Sequence, residues 1–571
     1  MPDLILSLRA GHNSSACIGN RSEILFGIQE ERLTYEKNYW GFPRRSIRAC
    51  LDAVGAKPSD IGSIASGGVL VQPEYHSRDD IIKAFERHFG LFGRVRQRVL
   101  VPTYIKLNPQ SGHQMLEKLL KEEGFGDTPI HYHDHHSGHA ATAYYGLRQS
   151  PDETYLVVTA DGSGDGNCST IRLMGGGRDE IIATTDWENS LGSLYAWVTY
   201  ALGFIPWEHE YKLMGMAPYV SAKAAEPMLN LFRSYLGLDE EGLRFEKKIS
   251  ETIPSIGPRL MKDIQGRRFD HIAAAIQLFT EEMLTSWIEK AVQKTGVSKV
   301  LAAGGVFMNV KANQKIGELD CIDSFEAFPS CGDETLSLGA YYQEAASRFQ
   351  ADEIRPLQNF YLGDSITDEA AKSALEKTDL SWTLSENITQ DVTEILVKGY
   401  PLARCAGPME FGARALGNRS ILADPKNQDV VRVINQMVKK RDFWMPFAPV
   451  ILKEKQADYI ENPKMHESPY MMMTFDTKEN FRELLAAVHN ADLTCRAQLV
   501  DEDLNPELCK LIHSFRERTG RSVLLNTSYN LHGFPLVRTP EEAIEVFTNS
   551  GLEYMQLGNY LVSKKSEATT G

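Results

Sequence analysis

The stretch YLVVTADGSGDGNCSTIRLM, residues 155–174, decides the fold. Tyr155 to Ala160 is a β-rich apolar run ending in Asp161. Gly162, Ser163, Gly164, Asp165 and Gly166 then force a tight turn before Cys168 to Met174 resumes as a strand. Such a loop exposes backbone N–H groups that can hold a phosphate, and an aspartate at a strand end can bind a cation. The N-terminus has the same pattern. Leu4 to Leu8 reads as a buried strand, Arg9 to Asn13 as a turn, and Ser15 to Ile18 and Ile24 to Ile28 as further strands. Two strand–hairpin–strand units predict an α/β domain built from two similar halves.

Between them lie His135, His136, Ser137, Gly138, His139 and Ala140, read as the opening of a helix that starts after Asp134. Ala140, Ala141 and Ala143 support that helix, because alanine is the residue most easily held helical. His135 and His139, at i and i+4, project from one face and can ligate one metal ion. A zinc-protease H-E-x-x-H would need a glutamate where His136 stands, which argues against a protease. The spacing alone suits two metal-free histidines equally well.

Lys299 to Ala302 is a short strand running into Gly304, Gly305, Val306, Phe307, Met308 and Asn309. Two glycines at such a strand-to-helix corner let a nucleotide approach the backbone at a helix N-terminus. Phe325 to Phe328 leads to Cys331, Gly332 and Asp333, with a helix through Leu338 to Ala346, so Asp333 is a second acid at the carboxyl edge of a sheet. His135, His139, Asp161 and Asp333 together would form a hard, mixed nitrogen and oxygen site suited to iron(II), manganese or zinc. His12 falls at a strand-to-strand turn, where a lone histidine is more often structural than catalytic. Glu30, Glu31, Arg32 and Lys37 read as a solvated loop, and the arginines at 87, 94, 96 and 98 as a solvated amphipathic segment rather than an anion-binding patch.

The length of 571 residues corresponds to roughly two to four domains. Against 61 basic residues stand 76 acidic ones, a net charge of −15, which argues against a nucleic-acid surface. Eight cysteines are scattered without a C-x-x-C pair and read as reduced thiols of a cytoplasmic protein. No run of about eighteen apolar residues occurs, so no membrane span is expected. The pattern breaks at Asp352, Arg355, Pro356 and Gly363, which sets domains at 1–354 and 355–571.

The second half opens with a strand at Pro401 to Cys405 and continues through Arg414 and Arg419, Lys439 and Arg441, and Arg496. A strand at Ser522 to Leu525 then meets an Asn526, Thr527, Ser528 corner followed by Asn530. Thr539, Pro540, Glu541 and Glu542 start a helix with a capping box. Arginine forks and lysine point charges beside glycine turns in an acidic protein suit a small, highly charged anion.

These motifs, in order over nearly the whole chain, resemble the NodU/CmcH carbamoyltransferase family. The matching segments are Glu30-Glu31-Arg32 with Lys37, His135/His139, Asp161-Gly162, 212–218, 304–309, Gly332-Asp333, 414–420, 446–449 and 526–528. The resemblance implies an actin-like N-terminal domain (duplicated RNase H-like halves) related to threonylcarbamoyl transferases, and a YrdC-like α/β C-terminal domain. It implies that the C-terminal site forms carbamoyl adenylate from carbamoyl phosphate and ATP with magnesium, and that the N-terminal site passes the carbamoyl group to a hydroxyl of a small-molecule acceptor, a natural product or sugar. By position, Arg414, Lys439, Arg496 and Ser528 would grip carbamoyl phosphate and ATP, with Arg419, Arg441, Asn526 and Asn530 nearby. Lys212, Gly215, Gly304, Gly305 and Asn309 would seat the adenylate, and His135, His139, Asp161 and Asp333 would hold iron, or zinc or manganese. His12 would be the base for the acceptor hydroxyl. A homodimer is compatible with the chain, and neither nucleic acid nor membrane is expected as a partner. The competing readings are a tRNA threonylcarbamoyl transferase and an actin-like sugar kinase or ATPase.

Overall fold

The computed structural model describes residues 3–89, 109–435 and 442–564, which divide into two units. The first comprises residues 1–30 and 38–357, and the second residues 31–37 and 358–571.

In the first unit, β1 (Leu4–Arg9), β2 (Ser15–Gly19) and β3 (Ile24–Gln29) form an antiparallel meander, and β4 (Ile61–Gly67) and β5 (Ile130–His133) add parallel to β1. A second sheet repeats this. β6 (Tyr155–Gly164), β7 (Asn167–Gly175) and β8 (Arg178–Asp186) form the meander, and β11 (Lys299–Ala303) and β12 (Ser324–Ala327) add parallel to β6. The orders β3-β2-β1-β4-β5 and β8-β7-β6-β11-β12 correspond strand for strand, so this mixed α/β unit has two halves of one topology. β1 and β4 are buried almost throughout, as expected of parallel strands covered on both faces, whereas the edge strand β8 starts on exposed Arg178, Asp179 and Glu180. A small hairpin, β9 (Leu236–Leu238) with β10 (Phe245–Lys247), completes the strands.

Two helices meet between the sheets, His135–Leu147 and Leu336–Arg348. They cross on glycines: a Cβ on Gly339 would lie 2.2 Å from the Gly138 carbonyl oxygen. The second helix is tied to the first sheet by Ser7 and Ser15, whose hydroxyls donate to the carbonyls of Ser337 and Glu334 at 2.6 and 2.7 Å. Its N-terminal approach, Asp333, is thereby brought to the end of β1.

The second unit carries β13 (Ser365–Ile366), β14 (Ser381–Leu384), β15 (Leu402–Cys405), β16 (Gly407–Pro408), β17 (Arg419–Ala423), β18 (Ala448–Leu452), β19 (Phe475–Asp476), β20 (Thr494–Cys495), β21 (Gln498–Val500), β22 (Val523–Ser528), β23 (Tyr554–Leu557) and β24 (Tyr560–Ser563). Eight of them form one mixed sheet, ordered β14-β24-β23-β15-β17-β22-β18-β21. Strand alternation splits its core. Leu422 and Leu524 face the helices Ile388–Val397 and Pro506–Thr519, whereas Ile421 and Leu525 face Asp368–Leu375 and Pro540–Asn549. The last helix opens on the capping box expected for it, Thr539 with Glu542.

Three local expectations change. β6 runs on to Gly164 rather than ending at Asp161, and its register with β7 slips between Ala160 and Gly164, leaving Asp165 and Gly166 (φ 49° and 90°) as a two-residue hairpin turn. β22 continues through Asn526, Thr527 and Ser528, which pair with Leu422, Ile421 and Ser420 instead of forming a corner. Glu30, Glu31 and Arg32 are buried rather than solvated. Glu30 accepts from the Arg45 and Ser46 N–H groups at the start of the helix Arg44–Val54, at 3.0 and 2.7 Å, satisfying donors that a helix leaves free. Arg32 belongs to the second unit, where it donates to the Gly412 carbonyl at 2.5 Å.

Candidate metal centre and anion site

Four side chains converge where the halves of the first unit meet. The helix of His135 and His139 is fixed by two aspartates: Asp134 caps it, accepting from Ser137 N–H at 2.8 Å, and Asp165 accepts from the backbone N–H of His135, Val69 and Leu70 at 2.8, 2.8 and 2.7 Å. The β6 bulge turns Asp161 inward, where His139 Nε2 lies 3.0 Å away. Asp333 comes from the loop after β12 and accepts from Arg9 Nη2 at 2.8 Å. One ligand atom of each of His135, His139, Asp161 and Asp333 lies within 4.8 Å of the others.

Glycines permit this approach. A Cβ on Gly164 would sit 2.1 Å from the His135 ring, and one on Gly304 (φ 101°) would sit 2.3 Å from the Ala160 carbonyl oxygen. The N–H groups of Gly162 and Gly305 point at the Asp161 carboxylate, at 2.5 and 3.3 Å.

The donor set fits a metal ion. Nε2 of His135 is buried with no hydrogen-bond partner and stands 3.6 Å from carboxylate oxygens of both Asp161 and Asp333, as an imidazole aimed at a shared ligand would. Burial disfavours both carboxylate charges, but the neighbouring histidines hold Asp161 well below its usual range, and Arg9 with His135 does the same for Asp333. Burial likewise works against a charged His139, yet its hydrogen bond to Asp161 and the nearby Asp333 carboxylate push it up to about 9. His136 points elsewhere: its Nδ1 lies 2.9 Å from Thr159 Oγ1, and burial and its histidine neighbours push it down to about 3.

His12 occupies the turn after β1, its ring edge-on to Trp40, and burial lowers its pKa against the raising influence of Asp333. Gly304 and Gly305 lie against Ala160 and Asp161, beside the four-residue cluster. Asn309 caps the helix Val310–Gly317 and exchanges amide hydrogen bonds with Gln277 at 2.9 Å. Lys212 and Gly215 lie on the helix Glu210–Met216, with Lys212 Nζ 5.3 Å from the Phe204 ring centre. Arg9 and Asp165 escaped the sequence reading. An arginine closing the apolar strand LILSLR was the available signal, because a charge there must be paired when buried.

In the second unit Glu410 accepts from the backbone N–H of Leu416, Asn418 and Arg419 at 2.8, 2.8 and 3.0 Å, shaping the loop that carries Arg414. Asn526 and Gln498 stitch this loop to β22 and β21: Asn526 donates to Ala415 O and Gln498 Oε1, and Gln498 donates to Leu416 O. Arg414, Arg496 and Ser528 thus sit on elements joined by one buried polar network, each side chain half-buried. One assignment is corrected. Arg419 is fully buried and donates to the carbonyls of Asp364, Ala406, Gly407 and Asn418, so its fork braces loops instead of an anion. Asn526 donates only through its amide nitrogen within the network and its buried Oδ1 has no partner, and Asn530 donates to the Leu531 and Phe534 carbonyls. Lys439 and Arg441 lie outside the described residues, as do Arg94, Arg96 and Arg98.

A family model described as carbamoyltransferase N-terminus matches residues 5–342, and one described as carbamoyltransferase C-terminus matches residues 393–564. The chain belongs to the carbamoyltransferase family. It is 31% identical to an uncharacterised protein of Methanocaldococcus jannaschii, across 98% of this chain and all of that one. It is 30% identical to the nodulation protein NolNO of Sinorhizobium fredii, across 97% of this chain and 79% of the relative. Among solved structures, full-length HypF in a phosphate- and nucleotide-bound form covers 61% of this chain and 56% of its own, at 14% identity and a TM-score of 0.30. Among the described residues, no helix of this carbamoyltransferase is long and apolar enough to cross a membrane.

Proposed function

We propose that the chain is an ATP-dependent O-carbamoyltransferase whose first unit, with its two matching halves, is actin-like and whose second is YrdC-like. On this reading the second unit makes carbamoyl adenylate from carbamoyl phosphate and ATP, with Arg414, Arg496 and Ser528 binding the phosphates. The first unit transfers the carbamoyl group to a hydroxyl of a small-molecule acceptor. The observation that carries the reading is the convergence of His135, His139, Asp161 and Asp333 within 4.8 Å, in a chain of this family.

A metal held by these four residues would supply positive charge against the adenylate phosphate. The protein's own groups supply the rest. The Gly305 N–H helps hold the Asp161 carboxylate, and Gly304 lets that corner pack against Ala160 without side-chain bulk. His12, kept neutral by burial, accepts the proton of the attacking hydroxyl as the acceptor oxygen bonds to the carbamoyl carbon and AMP leaves.

The test is incubation with ATP and magnesium, with and without carbamoyl phosphate, resolving AMP, ADP, pyrophosphate and carbamoyl adenylate by mass. Carbamoyl-phosphate-dependent pyrophosphate is expected. ADP alone, indifferent to carbamoyl phosphate, would replace this reading with an actin-like kinase or ATPase.

A further inference from the structure

Outside the four-residue cluster, two more histidines meet a carboxylate. His131 and His133 lie on β5, an edge strand of the first sheet, and the two-residue period of a strand puts both on one face. That face meets Glu344 of the helix Leu336–Arg348. His131 Nδ1 lies 2.8 Å from both Glu344 carboxylate oxygens, and His133 Nε2 lies 3.3 Å from Oε2.

As hydrogen bonds alone the arrangement is crowded: Nδ1 has one proton for two oxygens, and Oε2 faces both rings. For a metal ion it is well spaced. Tetrahedral zinc, with bonds of about 2.0–2.1 Å to nitrogen and oxygen, holds neighbouring ligand atoms about 3.3 Å apart, and the two nitrogens stand 2.8 and 3.3 Å from Oε2. An ion also has a way in. The Glu344 side chain is fully buried, whereas that of His133 is 16% exposed and that of His131 49%. On the adjoining strand β4 the residues in register are Ala65 beside His131 and Gly67 beside His133, so that strand puts no large side chain between the rings. Behind the carboxylate, Arg348 Nε stands 3.9 Å from Oε1, and Arg348 Nη1 donates to Ser63 Oγ at 2.5 Å. Such backing fixes a ligating carboxylate and leaves Oε2 to the histidines.

We propose that His131, His133 and Glu344 form a second metal site, which takes a divalent ion of the zinc class with water in the remaining position. Two imidazoles and one carboxylate suit such an ion, whereas calcium and magnesium favour oxygen ligands throughout. The ion clamps β5, which runs through Asp134 into the helix of His135 and His139, to the helix that follows Asp333. It thereby fixes the spacing of two elements that supply the four-residue cluster without joining that cluster. Glu344 lies eight residues along its helix from Leu336, about 12 Å. In ion-free protein the two rings hold Glu344 by hydrogen bonds instead. This inference stands apart from the carbamoyl-transfer reading and does not rest on it.

Zinc titration of chelator-treated, full-length protein against a chromophoric chelator tests it. His131→Gln and His133→Gln are each expected to remove one bound zinc ion per chain, or to weaken it on the order of a hundredfold. His513→Gln, at an exposed histidine of the second unit, should change neither number nor affinity. Because the His131 side chain is half exposed, its replacement spares the core, and thermal melts of ion-free protein check this. X-ray absorption at the zinc edge, on His139→Ala with Asp161→Asn to remove the first cluster, should show nitrogen and oxygen neighbours at about 2.0–2.2 Å. Equal zinc content and affinity in wild type, His131→Gln and His133→Gln overturns the proposal. So does an equal loss in His513→Gln, which would mark surface adsorption, or sulfur neighbours at about 2.3 Å, which would place the ion on cysteine.

Discussion

Asp333 depends on Arg9 as much as on the histidines. The pair is mostly buried, and removing the guanidinium leaves a carboxylate free to turn from His135 and His139. Arg9→Leu is therefore expected to lower metal affinity about 10- to 100-fold, read by chelator competition with metal content measured by mass spectrometry. Unchanged affinity would show that the arginine does not orient the ligand. Glu344, whose side chain is fully buried, offers a pH test away from the site. Burial alone would raise its pKa from 4.5, but bonds from His133, Ser63 and His131 push it down to about 2. A depressed carboxyl stabilises the fold above its unfolded pKa and loses that contribution as pH falls through the folded value. The melting-temperature gap between wild type and Glu344→Gln should be full above pH 4.5 and close between there and about pH 2. A gap independent of pH would place the effect in packing. The histidine pair and the strand-end acids were legible residue by residue, because their chemistry is written in spacing. Burial of Glu30, Glu31 and Arg32 was not, since a run of charges looks the same whether water or a helix N-terminus satisfies it.

At the scale of elements, the centre is built from strand ends and a helix start brought close by missing side chains. Gly164→Ala would place a methyl inside the His135 ring, and the histidine must leave. The expected result is loss of metal binding with most of the fold retained, checked by metal content beside circular dichroism; retained metal would mean that the β6 bulge can shift. Gly339→Ala strikes the helix crossing itself, against Gly138 backbone, and overpacking of this kind costs about 1–3 kcal/mol. Urea unfolding should show a lowered midpoint. Strand positions were read well wherever apolar runs were bounded by glycine. The ends were missed where polar side chains bond inside the sheet, as the Asn526 amide nitrogen does to Ala415 and Gln498. The left-handed backbone of Trp207 gives no signal in sequence, because no glycine or asparagine stands there to announce it.

For the whole molecule, the prediction concerns division of labour. Asp333→Ala should abolish transfer to an acceptor while leaving carbamoyl-phosphate-dependent pyrophosphate release, whereas Arg496→Ala should block adenylation yet permit transfer from supplied carbamoyl adenylate. Equal loss of both activities in either variant would show that the units do not act separately. The repeated strand order was legible because each half announces itself with a strand and a glycine turn. The way the chain is apportioned was not: residues 31–37 sit in the N-terminal sequence yet belong with the second unit. That detour bears on how such a gene can be rearranged. A break between codons 357 and 358 would give a downstream product lacking the short helix Glu31–Thr34, whose Arg32 braces the Gly412 carbonyl beside the Arg414 loop. Fission of the gene there would strand part of one product in the other, which favours inheritance of the two units as a single reading frame.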